Sequence, residues 1–206
     1  MTRGDYTKEA LSPKGHDNKE YTRMRALEIV SNSCLLWDTA NKHLVYSWME
    51  LAGPGAPTLQ MLLDHEALSP NSLFYGVDID PKVIAACRKQ YAEVPQARWI
   101  EADLSCIVAR HTDVGVLVFD SHNGVVGDDF EESLEMLNIV AKAQAERLGE
   151  FLLVINASSS RRSREEVDSY PALLTKHFRM PVQASHIHKY VSKKTPMHWV
   201  ALRWGF

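Results

Sequence analysis

Three aspartates each close an apolar run: Asp78 after Leu73-Phe74-Tyr75-Gly76-Val77, Asp103 after Trp99-Ile100-Glu101-Ala102, and Asp120 after Val114–Phe119. A carboxylate in such a place accepts charge-assisted hydrogen bonds from the hydroxyl or amino groups of a ligand. The plainer reading is a turn-forming aspartate after a strand, which needs no ligand. Asp120-Ser121-His122-Asn123-Gly124 sets a carboxylate and an imidazole close together. Burial can tune either one toward general-base work, although a histidine beside Asn-Gly also serves as a simple turn residue. Asn156-Ala157-Ser158-Ser159-Ser160-Arg161-Arg162-Ser163-Arg164 places three arginines among hydroxyls. Arg161 and Arg162 there suit a phosphate or carboxylate held bidentately, or else they belong to a hydrated loop. His186 and His188 alternate without a third ligand at suitable local spacing, so no metal is expected.

These residues need elements to hold them. Residues 1–16 are polar and aperiodic and are expected to form a mobile tail, with one domain over 17–206 that includes an N-terminal helical segment (17–43). From Asp17 to about Leu36, the apolar positions Tyr21, Met24, Leu27, Val30 and Cys34 predict a helix with one buried stripe. His43–Leu51 fits a helix or a strand about equally. Gly53-Pro54-Gly55-Ala56-Pro57 breaks any regular element, and Thr58–Leu68 has helical spacing.

Leu73–Ile79 reads as a buried strand, followed by a helix with Asp80 as N-cap and Pro81 at its first position. Further strands are predicted at 97–102, 114–119 and 151–155, and a helix over 130–148 closed by Gly149. Ser163 and Glu166 form a capping box for a helix reaching about Phe178. Val182–Val191 and His198–Trp204 complete a hairpin. The fold class is therefore α/β: a mostly parallel, Rossmann-like sheet with helices on both faces and a C-terminal antiparallel hairpin. Such sheets bind ligands at the carboxyl ends of their strands, where the three aspartates fall.

Over roughly residues 44–206 the sequence resembles the class I S-adenosylmethionine-dependent methyltransferases. Tyr75-Gly76-Val77-Asp78-Ile79-Asp80-Pro81 is similar to the family's second motif, and Trp99-Ile100-Glu101-Ala102-Asp103-Leu104 to its third. The resemblance implies that Asp78 holds the ribose hydroxyls and that Ile79 lies on one adenine face. It implies further that Asp103 accepts from the adenine amino group, with the neighbouring Leu104 amide at the ring. The first motif is matched most nearly by Glu50-Leu51-Ala52-Gly53-Pro54-Gly55-Ala56-Pro57. Glu50 stands for the acidic strand end, and Gly53 and Gly55 for the turn that admits the methionine moiety. This turn departs from the family pattern: its glycines are displaced by one position and two prolines stiffen it. Asp120, His122 and Asn123 follow the strand where the family places substrate-facing residues. They do not match the Asn/Asp-Pro-Pro-aromatic signature of exocyclic-amine methylation.

Composition frames these expectations. The 206 residues carry 23 Lys+Arg against 26 Asp+Glu, a net charge of −3, and 45% are hydrophobic, which excludes collagen-like and disordered classes. The charge is uneven: +6 from Asn156 onward and −9 before it. Cys34, Cys87 and Cys106 form no CxxC pair and no disulfide framework, which predicts a reducing compartment. No apolar run approaches the ~20 residues of a membrane helix, so a cytoplasmic protein without membrane contact is expected. The expected activity is methyl transfer from S-adenosylmethionine to an acceptor that is a small molecule or an anionic substrate. Nucleic acid is one such anion, unsupported by the net charge. The alternative is a binding or assembly module that keeps the scaffold without cofactor chemistry.

Overall fold

The computed structural model describes residues 13–52, 55–104, 110–119, 130–158, 182–192 and 195–205. In chain order the elements are α1 (Pro13–Ser31), β1 (Trp37–Asp38), β2 (His43–Leu44), β3 (Ser47–Leu51), α2 (Pro57–Asp64), β4 (Phe74–Asp78), α3 (Pro81–Gln90) and β5 (Ala97–Glu101). They continue with β6 (Val114–Phe119), α4 (Phe130–Leu148), β7 (Glu150–Ser158), β8 (Gln183–Ser192) and β9 (Thr195–Gly205). β1 and β2 pair as a small antiparallel ribbon. The other seven strands form one sheet in the order β5-β4-β3-β6-β7-β9-β8. Strands β3 to β7 are mutually parallel, and β9 runs antiparallel to both β7 and β8. The expected α/β sheet with its C-terminal hairpin is therefore present.

Residues 43–51, open between helix and strand, form β2 and β3. Trp48 and Met49 are fully buried on opposite faces of the sheet, as a parallel strand covered on both sides requires. One face carries Trp48, Phe74, Val116, Val118, Leu152 and Val154 under α1, α2 and α3. The other carries Met49, Val77, Leu117, Phe119 and Leu153 under Leu137, Val140, Ala141 and Ala145 of α4. Each large apolar side chain taken from water into these layers contributes roughly 1.5–3 kcal/mol.

Several boundaries and faces differ from expectation. Helix α1 begins at Pro13 rather than Asp17 and ends at Ser31. Its buried face is Thr22, Arg23, Ala26, Leu27 and Val30, while Tyr21 and Cys34 are exposed. Leu27 and Val30 are shared with the predicted stripe, but the covered face turns toward Arg23 and Ala26 instead of Tyr21, because the sheet packed against the helix selects which side is covered. Helix α2 stops at Asp64, four residues early. Glu66 takes a left-handed backbone (φ 51°), and Leu68 forms a parallel bridge with Leu44. Gly149 does end α4 in the left-handed region (φ 80°), where a side chain is strained. A register irregularity between His186 and His188 interrupts the simple alternation of β8. Residues 1–12 and the capping box of Ser163 and Glu166 lie outside the described residues. No helix among the described residues is long and apolar enough to cross a membrane.

Candidate functional site

The sheet order reverses at β3: β4 and β5 lie to one side, β6 and β7 to the other. Parallel sheets open a crevice at such a point, beyond the carboxyl ends of the strands. Register brings three of those ends level, since Leu51 pairs with Val77, Val77 with Ile100, and Asp78 with Glu101. Asp78 and Asp103 therefore lie at neighbouring strand ends, as the sequence suggested.

Asp78 is half-buried, and its Oδ1 accepts from the Asp80 backbone N–H at 2.7 Å. That bond fixes the carboxylate's orientation. Asp80 itself caps α3, accepting from the Lys82 N–H at 3.0 Å in an extended backbone. The division of labour between a structural cap and a strand-end carboxylate is thus visible in the geometry. Ile79 stands between them 57% exposed, an apolar surface presented at the strand end. Asp103 is exposed. The Leu104 side chain is buried in the core with Met49, Tyr75 and Val77, which leaves its backbone as the part able to meet a ligand. Burial first, and the Asp78 charge second, pushes the Cys87 thiol up to about 11, so this cysteine is a neutral packing group rather than a nucleophile.

The turn after β3 is built differently from that after β4. Gly55 (φ 76°) and Ala56 (φ 39°) are both left-handed, and Pro57 opens α2. Ala56 is the N-cap but offers no side-chain bond. The turn is held instead from α3: the Tyr91 hydroxyl donates to the Gly55 carbonyl at 2.7 Å. Burial raises the Tyr91 hydroxyl pKa and keeps it a donor. Its ring stacks on Trp99, whose own ring sits against Gly76 so closely that a Cβ there would lie 2.4 Å away. Gly76 is therefore needed for the approach of β5's tryptophan, two residues before Asp78.

Glu50 is buried and faces α1. The Trp48 indole donates to its Oε2 at 3.2 Å, and Arg23 Nε lies 3.6 Å from its Oε1. Arg23 is only 9% exposed, and its Nε and Nη1 have no hydrogen-bond partner. Thr58 Oγ1 and Trp199 Nε1, buried on the same face of the sheet, are likewise unpartnered. A buried donor left unmatched costs about 1–3 kcal/mol, and more when charged. Sequence reasoning passed over Arg23 and the Tyr91 hydroxyl. The signal for Arg23 was a basic residue four positions before Leu27, inside the helical stripe. Gly53, Asp120, His122, Asn123, Arg161 and Arg162 lie outside the described residues.

No family model matches the chain, and no curated protein sequence matches it. Solved structures do. A human methyltransferase 10 domain containing protein superposes over 90% of this chain and 82% of its own, with a TM-score of 0.56 at 10% identity. A putative rRNA-methylase from Clostridium thermocellum matches over 90% and 96%, with a TM-score of 0.55 at 12% identity. The N-methyltransferase NodS from Bradyrhizobium japonicum WM9 matches over 95% and 100%, with a TM-score of 0.52 at 10% identity. The chain has the class I methyltransferase fold.

Proposed function

We propose that the protein transfers a methyl group from S-adenosylmethionine to an acceptor. The observation that carries this reading is the pair Asp78 and Asp103 at the carboxyl ends of neighbouring strands beside the reversal in strand order, Asp78 level with Glu101 and Asp103 two residues further on, with Ile79 exposed next to Asp78. The donor set fits a nucleoside. One carboxylate meets a cis-diol, an exposed aliphatic side chain meets a ring face, and a second carboxylate meets an amino group. The cofactor, when bound, supplies an electrophilic sulfonium methyl. The chain's part is to bind and orient, since holding an acceptor in line with that methyl provides much of the rate. Asp120 and His122 are the groups assigned to take a proton from the acceptor. Asn123, Arg161 and Arg162 are assigned to hold it, which favours a small or anionic substrate.

Titration calorimetry of the purified chain with S-adenosylmethionine and S-adenosylhomocysteine tests this reading. Both ligands are expected to bind, and Asp78→Ala is expected to weaken each about 30- to 100-fold, the loss of a charge-assisted pair of hydrogen bonds. Absence of wild-type binding at millimolar ligand overturns the reading and leaves the scaffold as a binding or assembly module. An unchanged affinity in Asp78→Ala removes the ribose assignment alone.

A further inference from the structure

We propose that a cavity between the end of α1 and the β8–β9 corner of the sheet binds the carboxylate of a small aliphatic acid, held by the outer edge of the Arg203 guanidinium. The cavity has a volume of about 210 Å³ and is lined by Ile29, Asn32, Gln183, Ala201 and Arg203. Drug-sized ligands occupy roughly 300–1,000 Å³, so this space suits a molecule of a few heavy atoms. It lies at the amino end of β7, since Arg203 pairs with Leu152 on one side and with Gln183 on the other. Asp78 and Asp103 belong to the opposite end of the sheet, so the two sites stand or fall separately.

The guanidinium is set in place from behind. Arg203 Nε donates to Glu150 Oε1, and Glu150 Oε2 accepts from the Ser33 hydroxyl, so both oxygens of this buried carboxylate are engaged. The two terminal nitrogens of Arg203 have no partner among the described residues, and its side chain is 36% exposed, open enough for a ligand to reach them. With Nε taken, they form the one edge left to meet a carboxylate bidentately. Gln183 stands directly across from Arg203, exposed and without a partner among the described residues, and its amide is a further donor. Asn32 Nδ2 donates to the Glu28 carbonyl at 2.8 Å, so this wall is fixed as well. Ile29 and the buried Ala201 supply an apolar side, which calls for an aliphatic body rather than a bare inorganic anion. Glu150 offsets the charge of Arg203, so contact geometry rather than net charge selects the ligand.

Proton–nitrogen correlation spectra of the full chain titrated with sodium butyrate test the site, with butyramide as the neutral isostere. Butyrate is expected to give saturable shifts centred on Ile29, Gln183, Ala201 and Arg203, with a dissociation constant on the order of 1 mM. Butyramide, which cannot accept through two charged oxygens, is expected to bind about 10-fold more weakly or worse. Removing Arg203 would strand the buried Glu150, so the variant of choice is Gln183→Glu, which sets a carboxylate opposite the guanidinium from an exposed position. It is expected to weaken butyrate at least about 10-fold by occupying the same edge. Absence of saturable shifts with butyrate, shifts centred elsewhere, equal affinity for butyramide, or a Gln183→Glu chain that binds butyrate as wild type does overturns the site. Should Gln183→Glu not fold, the difference between butyrate and butyramide in the wild type decides alone.

Discussion

At the amino ends of the strands polar side chains meet one another, whereas at the carboxyl end of β3 the buried Arg23 keeps two donors unmatched. The amino end holds Glu150 between Ser33 and Arg203, and Asp113 between the Ser47 hydroxyl at 2.5 Å and the Tyr75 hydroxyl at 3.0 Å. Gln144 of α4 donates to the His111 carbonyl at 2.7 Å. These contacts tie the segment after α1, α4 and four strands together. The carboxyl end instead carries two left-handed residues in one turn, an exposed isoleucine and a helix N-cap without a side-chain bond. Among the described residues, the amino end is tied together by its own side chains, whereas the β3 end keeps these donors unmatched. On the proposed function, stability and binding would be divided between these two ends.

Breaking the closed end has the largest expected effect on folding. Glu150→Ala removes the acceptor of Ser33 and Arg203 at once and is expected to destabilise the chain by about 3 kcal/mol, read from the denaturant midpoint. Affinity for S-adenosylhomocysteine in the folded fraction should stay unchanged. A parallel loss of affinity would show that the two ends are not separable.

A pH series addresses the same end more finely. Burial first, and the Asp113 charge second, pushes the Tyr75 hydroxyl up to about 12, against 10.0 ordinarily. The folded chain therefore holds this proton where the unfolded chain has released it. The contribution is complete below pH 10 and is lost as pH rises from 10 to 12, so stability falls across that window. Denaturant midpoints measured through it should fall less steeply in Tyr75→Phe than in wild type. Identical slopes would refute the linkage.

The smallest effect is expected at the open end. Ala56 occupies a φ of 39° that costs an L-residue about 1 kcal/mol or more, and glycine removes that strain while adding freedom to the unfolded chain. Ala56→Gly is expected to raise stability by about 0.5 kcal/mol in chemical denaturation. A lower stability would mean that the alanine methyl, buried under Tyr91 and Leu59, outweighs the backbone strain.

Much of this was legible in one dimension. The run Tyr75–Pro81 specified a strand, a strand-end carboxylate and a capped helix. Asp80 does cap α3 and Gly149 does end α4 with positive φ, because caps and glycine stops depend on neighbours in sequence. The continuous burial of β6 was equally plain in Val114–Phe119. Two local readings were ambiguous or displaced for reasons that are not local. His43–Leu51 carried helical and strand patterns together, and pairing with β4 on one side and β6 on the other settled it. The buried face of α1 keeps the predicted Leu27 and Val30 but turns toward Arg23 and Ala26 rather than Tyr21, because the sheet, not the helix, selects which stripe is covered.

The sequence by itself determined the elements, the alternation that yields a parallel sheet, and the aspartates that close its strands. Only the tertiary structure decided that Asp78 and Asp103 close neighbouring strands, that Tyr91 clamps the Gly55 turn, and that Arg23 meets Glu50. Each of these joins residues far apart along the chain, through register and helix packing. Periodicity records which face a residue shares with its near neighbours, but not what the opposite face brings to meet it.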